Sequence, residues 1–448
     1  MEDSVKEEYF KLLRFESVGA DPSKTDACAA CAEYLSSWFG ALGFTSEIVA
    51  PPDGSAPGFV FAELKSEGES RPTVLIYGHY DVQSPDPVEA WHTPPFEPVE
   101  KDGRVFCRGS QDDKGQSFAL LCGMRDYISS VPADKRVNIK VVIEGQEESG
   151  SAFLMKSAPE MRRRLAADIL LVCDTSAAEG LRPAIVAGLR GVGHLTLTLT
   201  GASRDLHSGV YGGIAPNAAQ GMAELLASLH TPSGAIAVKD FLAGIEEPTA
   251  EELKYAEDGS PDDEAYRKDI GCEISGGEAG KSAVRRNSFE PTIEVNGMHS
   301  GYGGPGSKTV IPSSAVAKLS VRFVPGQSNV RALDALVAYL REKTPRGMKL
   351  EISEINYGAG GFRLPLASPV FRLAADVLAQ MDPRGALFMW DGASIPVVSA
   401  LRDASLASPL IVGWGQNGDR IHAPDESYSF RQFELARTWG YRILEALS

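Results

Sequence analysis

Three stretches in the first part of the chain are apolar at almost every position: TVLIYGHYDV (73–82), VNIKVVIEG (137–145) and ADILLVCD (167–174). A strand with one wet face alternates apolar and polar residues. Continuous β-branched and leucine-rich runs predict strands covered on both faces by helices. Between the first two runs, Phe118, Leu121, Met124 and Ile128 recur at near-helical spacing and predict an intervening helix. Residues 1–187 therefore read as α/β. Cys28, Cys31, Leu35, Trp38 and Leu42 also share one helical stripe. That makes the CxxC a piece of buried packing rather than a redox or metal motif.

From about residue 188 the texture changes. Leu195, Leu197 and Leu199 alternate with Thr196, Thr198 and Thr200, the mark of a strand with one solvated face. A helix pattern (APNAAQGMAELLASLH) and the strand PTIEVNGM follow. Next come the alternating AVAKLSVRFV, the helix NVRALDALVAYLREK and the strand KLEISEINY. The order β-α-β-β-α-β is that of a ferredoxin-like, split βαβ domain. An acidic insertion lies near residues 231–290. After residue 366 the α/β texture returns, with SPVFRLAADVLAQ as helix, PLIVGWG as strand and a closing helix from about 429. The expected organisation is an α/β domain, 1–187 and 366–448, interrupted by a second domain, 188–365.

A length of 448 residues agrees with two to three domains. Lys and Arg total 44 against 60 Asp and Glu, a net charge of −16. This argues against nucleic acid as the main partner and against anionic membrane surfaces. No stretch approaches the roughly 20 apolar residues of a membrane span. The start, MEDSVKEEYF, lacks the basic-then-apolar layout of a secretory signal, so a cytoplasmic protein is expected. Six cysteines in a chain this long make no disulfide framework.

Candidate chemistry gathers where the buried strands end. GHYDV holds His79 and Asp81, RGSQDDKG holds Asp112 and Asp113, EGQEESG holds Glu147 and Glu148, VCDTS holds Asp174, and RIHAPDE supplies His422 after the strand PLIVGWG. In α/β sheets, ligands bind outside the carboxyl ends of the strands. Each pattern alone is commonplace. Together they would crowd carboxylates at one sheet edge, and a cation resolves that repulsion. Three carboxylates and a hydroxide balance two divalent ions. Imidazole nitrogen with carboxylate oxygen, and no thiolate, suits zinc, with manganese or cobalt as alternatives.

This ordered set resembles the co-catalytic dinuclear metallopeptidases that include carnosinase-type dipeptidases, glutamate carboxypeptidase, aminoacylase and succinyl-diaminopimelate desuccinylase. The carnosinase-type members are the most similar. The resemblance implies a mixed-sheet, zinc-exopeptidase-like catalytic domain and a lid domain that also dimerises. It implies that His79, Asp112 and Asp174 hold one metal, and that Asp112, Glu148 and His422 hold the other. Asp81 would fix the His79 ring, and the Asp112–Asp113 peptide bond would be cis. Residues alone leave the roles of Glu147 and Glu148 interchangeable. The family pattern makes Glu147 the general base acting on a metal-bridging water. The expectation from an extended chain is that these neighbours point to opposite faces.

The string LHSGVYGG is similar to the carnosinase-type lid motif, which implies that His207 reaches into a second subunit's site and stabilises an oxyanion. Arg322, on the wet face of its strand, resembles the arginine that binds the substrate carboxylate. Gly392, Ala393 and Ser394 in WDGASIP lie where relatives present groups to that carboxylate. The reaction implied is hydrolysis of the amide bond of dipeptides or short peptides by a homodimer. The same centre would serve a deacylase of N-acyl amino acids equally well.

Two further readings are weaker. GYGGPG (301–306) formally matches GxGxxG, but SKTVIPSSAVAKLSVRF leads into a strand, where a dinucleotide site needs a helix. A non-catalytic metal- or peptide-binding protein would need neither Glu147 nor His207.

Overall fold

The computed structural model describes residues 1–392 and 394–448. By its internal contacts the chain forms two units. The first comprises Met1–Ala187, Leu364–Met389 and Val397–Ser448, and the second Gly188–Arg363 with Trp390–Pro396.

In the first unit the three apolar runs become the strands Thr73–His79, Asn138–Glu144 and Ile169–Val172. Nearly every residue in them is buried. The spatial order runs Thr45–Val49, Phe59–Leu64, Asn138–Glu144, Thr73–His79, Ile169–Val172, Ser408–Ile411 and Ala184–Leu189. The four strands from Asn138–Glu144 to Ser408–Ile411 are mutually parallel, while Phe59–Leu64 and Ala184–Leu189 flank them antiparallel. The sheet is mixed, as the family resemblance implies. The parallel strands share one carboxyl-end edge, the edge where ligands collect in such sheets. The Cys28–Trp38 stripe lies in the helix Thr25–Ala41, with Cys28, Cys31, Leu35 and Trp38 buried. Leu42 departs from the stripe: it caps that helix and is half-buried.

The helix Lys114–Ser130 begins directly after Asp113 and is buried along most of its length. It packs on the closing helix Phe430–Ala446 through two glycines. A Cβ on Gly123 would lie 2.1 Å from the Arg437 carbonyl oxygen, and one on Gly440 would lie 2.6 Å from that of Leu120. The helices thus meet backbone to backbone, which holds the start of Lys114–Ser130 in place.

The second unit contains an antiparallel sheet in the order Thr292–Ser300, Ser314–Phe323, Gly191–Thr200, Lys349–Ala359. With the helices Ala218–Ala227 and Asn329–Glu342 this is the split βαβ connectivity. Leu195, Leu197, Leu199, Leu319, Val321 and Phe323 face the helices and form the core. The acidic insertion carries the short helices Ala250–Gly259, Asp263–Ile270 and Ala283–Phe289. GYGGPG leads through a loop to the short strand Val310–Ile311, and no helix begins at it. Among the described residues, no helix is long and apolar enough to cross a membrane.

Alanine at position 123 would gain about 1 kcal/mol in helix propensity. Its methyl group must displace the backbone of Arg437, and such overpacking costs about 1–3 kcal/mol or more. Gly123→Ala is therefore expected to lower the urea midpoint of unfolding, whereas propensity alone would raise it.

Candidate metal centre

His79 ends its strand, Asp174 lies two residues beyond Ile169–Val172, and Glu147 and Glu148 follow Asn138–Glu144 within four residues. Asp112 sits in the loop before the helix Lys114–Ser130. His422 lies eleven positions beyond Ser408–Ile411, in a loop where Arg420, His422 and Asp425 all adopt positive φ (62°, 56° and 63°).

These segments bring two triads together. Ligand atoms of His79, Asp112 and Asp174 lie within 4.8 Å of one another, as do those of Asp112, Glu148 and His422. Asp112 belongs to both. His79 Nε2 is 3.3 Å from Asp112 Oδ1 and 3.8 Å from Asp174 Oδ2. His422 Nε2 is 3.0 Å from Asp112 Oδ2 and 3.2 Å from Glu148 Oε2. The Asp112–Asp113 peptide bond is cis.

The electrostatics test whether cations fit. Burial, and after it Asp113 and Asp112, hold the Asp174 carboxyl well above the ordinary carboxylate range. Burial also raises Asp112, but the hydrogen bond from His422 and the facing His79 ring outweigh it and the net shift is downward. Burial, then the carboxylates of Glu148, Asp112 and Asp81, lift Glu147 to about 7 against the pull of His79. His79 Nε2 and Glu148 Oε1 are buried without a hydrogen-bond partner among the described residues. Crowded carboxylates, orphaned donor atoms and a nitrogen–oxygen ligand set all fit a pair of divalent ions.

One local expectation needs correction and a second gains a further contact. Glu147 and Glu148 are not in extended chain; they lie in a 3-10 turn, Glu147–Ser149. Successive side chains in such a turn are about 120° apart, so they still diverge, though not to opposite faces. Asp81 does more than sit behind His79. The ring Nδ1 lies 3.0 Å from the Asp81 backbone carbonyl and 3.4 Å from its carboxylate. The carboxylate itself accepts the backbone N–H of Glu147 and of Glu148, both at 3.1 Å.

The family described as Peptidase family M20/M25/M40 matches residues 75–446, most of the chain. The chain belongs to this family. The Cys-Gly metallodipeptidase of Schizosaccharomyces pombe is 27% identical over 453 residues, covering 96% of this chain and 94% of that one. The human Beta-Ala-His dipeptidase is 28% identical over 384 residues, covering 84% and 75%. In fold, the M20 family metallo-carboxypeptidase Sso-CP2 of Sulfolobus solfataricus superposes with a TM-score of 0.86 at 24% identity, covering 100% and 99%.

The remaining predicted residues of this M20-family chain lie in its second unit. His207 is exposed at the end of the two-residue strand Leu206–His207, and its Nδ1 accepts the Gly209 N–H at 3.0 Å. Arg322 is half-buried and donates to Ser394 Oγ at 2.8 Å. Gly392 is buried, and its carbonyl accepts from Arg190 Nε at 2.9 Å. These bonds explain why Trp390–Pro396 groups with the second unit, although the sequence pattern places it in the closing α/β segment. Ala393 lies outside the described residues. Gln83 joins the site without a motif of its own. Its amide donates to Glu148 Oε2 at 2.9 Å, and a lone glutamine after a strand carries no signal of that role.

The metal-free protein should lose stability as pH rises. Hydrogen bonds to Asp112 and Glu148 raise His422 from 6.5 to about 10, and burial first of all raises Glu147 from 4.5 to about 7. A raised folded pKa contributes stability that is complete below the unfolded value and lost as pH climbs through the folded one. The windows are 4.5 to about 7 for Glu147 and 6.5 to about 10 for His422. The melting temperature of chelator-treated protein, followed by circular dichroism, should fall between about pH 6 and 9. A rising midpoint would contradict the assignment.

Proposed function

We propose that this chain is a dinuclear metal-dependent dipeptidase. The observation that carries the reading is the sharing of Asp112 between two ligand triads, with Glu147 in electrostatic reach of both. His79, Asp112 and Asp174 would hold one ion and Asp112, Glu148 and His422 the other, zinc being the metal that the ligand set suits. When bound, two such ions supply polarisation of the scissile carbonyl and an acidified water.

The chain's own groups do the rest. Glu147 takes a proton from the attacking water on a carboxylate oxygen and returns it to the leaving amine nitrogen. Asp81 orients the turn bearing Glu147 and Glu148 through their two N–H groups. Arg322 and Ser394, already hydrogen-bonded to one another, bind the substrate's terminal carboxylate with the Gly392 turn beside them. His207 of a second copy donates to the developing oxyanion. The reading as a dipeptidase rather than a deacylase of N-acyl amino acids is supported by the two relatives named as dipeptidases.

A homodimer through the second unit is supported by exposed apolar side chains there. Val295 and Met298 lie on the edge strand Thr292–Ser300, and Val210, Tyr211 and Ile214 follow His207. A cytoplasmic setting accords with six free thiols, five of them buried.

Zinc-loaded protein should hydrolyse dipeptides, lose that activity to a chelator and regain it with added zinc. Activity confined to N-acyl amino acids would instead favour the deacylase. Glu147→Ala should lower kcat by about 10²–10⁴-fold with both ions retained. His207→Ala alone should also be nearly inactive. Mixed and reassembled with Glu147→Ala, it should regain activity, because a hybrid dimer then has one site with both groups intact. No recovery on mixing would place His207 in its own subunit's site or outside the chemistry.

A further inference from the structure

Glu426 ends the IHAPDE stretch, four residues after His422, and its side chain is fully buried. An ionised carboxylate has about four acceptor positions. Here all four are used. Oε2 accepts from Arg108 Nη1 at 2.7 Å and from the Gly109 N–H at 2.9 Å. Oε1 accepts from the Gln111 N–H at 2.9 Å and from the N–H of Asp112 itself at 3.0 Å. The Glu426 carbonyl takes the Cys107 N–H at 3.1 Å. Arg108 completes the junction, its Nη2 reaching the carbonyls of Ser84 and Ala423, each at 3.3 Å.

One side chain therefore binds the backbone of the loop carrying Asp112 while standing on the loop carrying His422. The His422 loop needs such a hold. Arg420, His422 and Asp425 occupy the left-handed region, which non-glycine residues keep only when the surroundings over-determine them. The pairing with Arg108 also leaves the junction neutral, so it adds no net charge beside an already acidic centre.

We infer that Glu426 is a positioning residue for the metal centre: its carboxylate sets the spacing between Asp112 and His422, and so the affinity of the pocket that those two complete with Glu148. The inference rests on the proposed ligand set. Glutamine in its place keeps the volume but has one acceptor oxygen, and its NH2 would face backbone N–H donors across the junction.

The test is zinc titration of the metal-free full-length protein against a chelating dye, with the fold of each variant checked by circular dichroism. Asp419→Asn is the control. Asp419 is equally buried, pairs with Arg104 and accepts from Gln416 and Gln432, and it makes no bond to the Asp112 loop. Glu426→Gln should bind at least one of the two zinc ions about 10–100-fold less tightly than Asp419→Asn does, the usual effect of removing a partner that orients ligands. Faster amide exchange at Gly109, Gln111 and Asp112 should accompany it. Equal affinity in the two variants overturns the inference. If Glu426→Gln does not fold, Arg108→Met/Glu426→Gln removes the unpaired cation, and the same comparison decides. Wild-type protein that fails to bind two ions would overturn the ligand assignment itself, a result distinct from either outcome for Glu426.

Discussion

Asp112 carries its negative charge in a place where burial and neighbouring acids disfavour it. Two imidazoles face its two oxygens, His79 at 3.3 Å and His422 at 3.0 Å. They hold its carboxyl ionised, and they come from opposite ends of the chain. Around it Asp174, Asp113 and Glu147 are all raised, because burial and mutual repulsion disfavour a further charge. Positive charge is what such a cluster lacks, and the rest of the first unit holds these groups in place against their repulsion. The parallel strands supply a common edge. The glycine contact between Lys114–Ser130 and Phe430–Ala446 fixes the helix that begins where Asp112 and Asp113 end.

Asp81 shows how economically a second carboxylate can be used. Placed two residues after His79, it approaches that ring with its backbone oxygen and receives the two N–H groups of the Glu147–Glu148 turn on its carboxylate. A base and a ligand in adjacent positions must diverge, and the tight 3-10 turn accomplishes this. Both N–H groups point to one acceptor while the side chains leave about 120° apart. The juxtaposition of two glutamates, unremarkable in a solvated loop, is thereby given two environments. Burial raises the Glu147 carboxyl.

The second unit solves a different problem. Its sheet buries leucines on one face and leaves the other to polar side chains, among them Arg322. The chain leaves the first unit at Ala187, returns at Leu364 and sends Trp390–Pro396 back to the second. That short excursion delivers Ser394 to Arg322 and Gly392 to Arg190. Asn287 and Arg190 crowd Gly392 so closely that a Cβ there would lie 2.1 Å from Asn287 Oδ1, so only glycine fits without displacing them.

Much of this was legible in the sequence because it is written at short range. Continuous apolar runs marked the covered strands, leucine–threonine alternation marked the half-wet one, and the order β-α-β-β-α-β marked the second fold. HYD, DDKG, EGQEESG and IHAPDE, in that order, carried the resemblance that the family match over residues 75–446 bears out. Periodicities of two to four residues are set by backbone geometry, so a single chain displays them without its fold. Hydrogen-bond partners are another matter. Asp81 meets Glu147 across 66 residues and Glu426 meets Asp112 across 314. A carboxylate that accepts backbone N–H groups imposes no pattern on the residues that donate them, since every residue but proline has that group. The chain by itself therefore determined which segments become strands and which side chains reach the sheet edge. Only the folded structure decided which acids hold backbone in place and which are left facing one another.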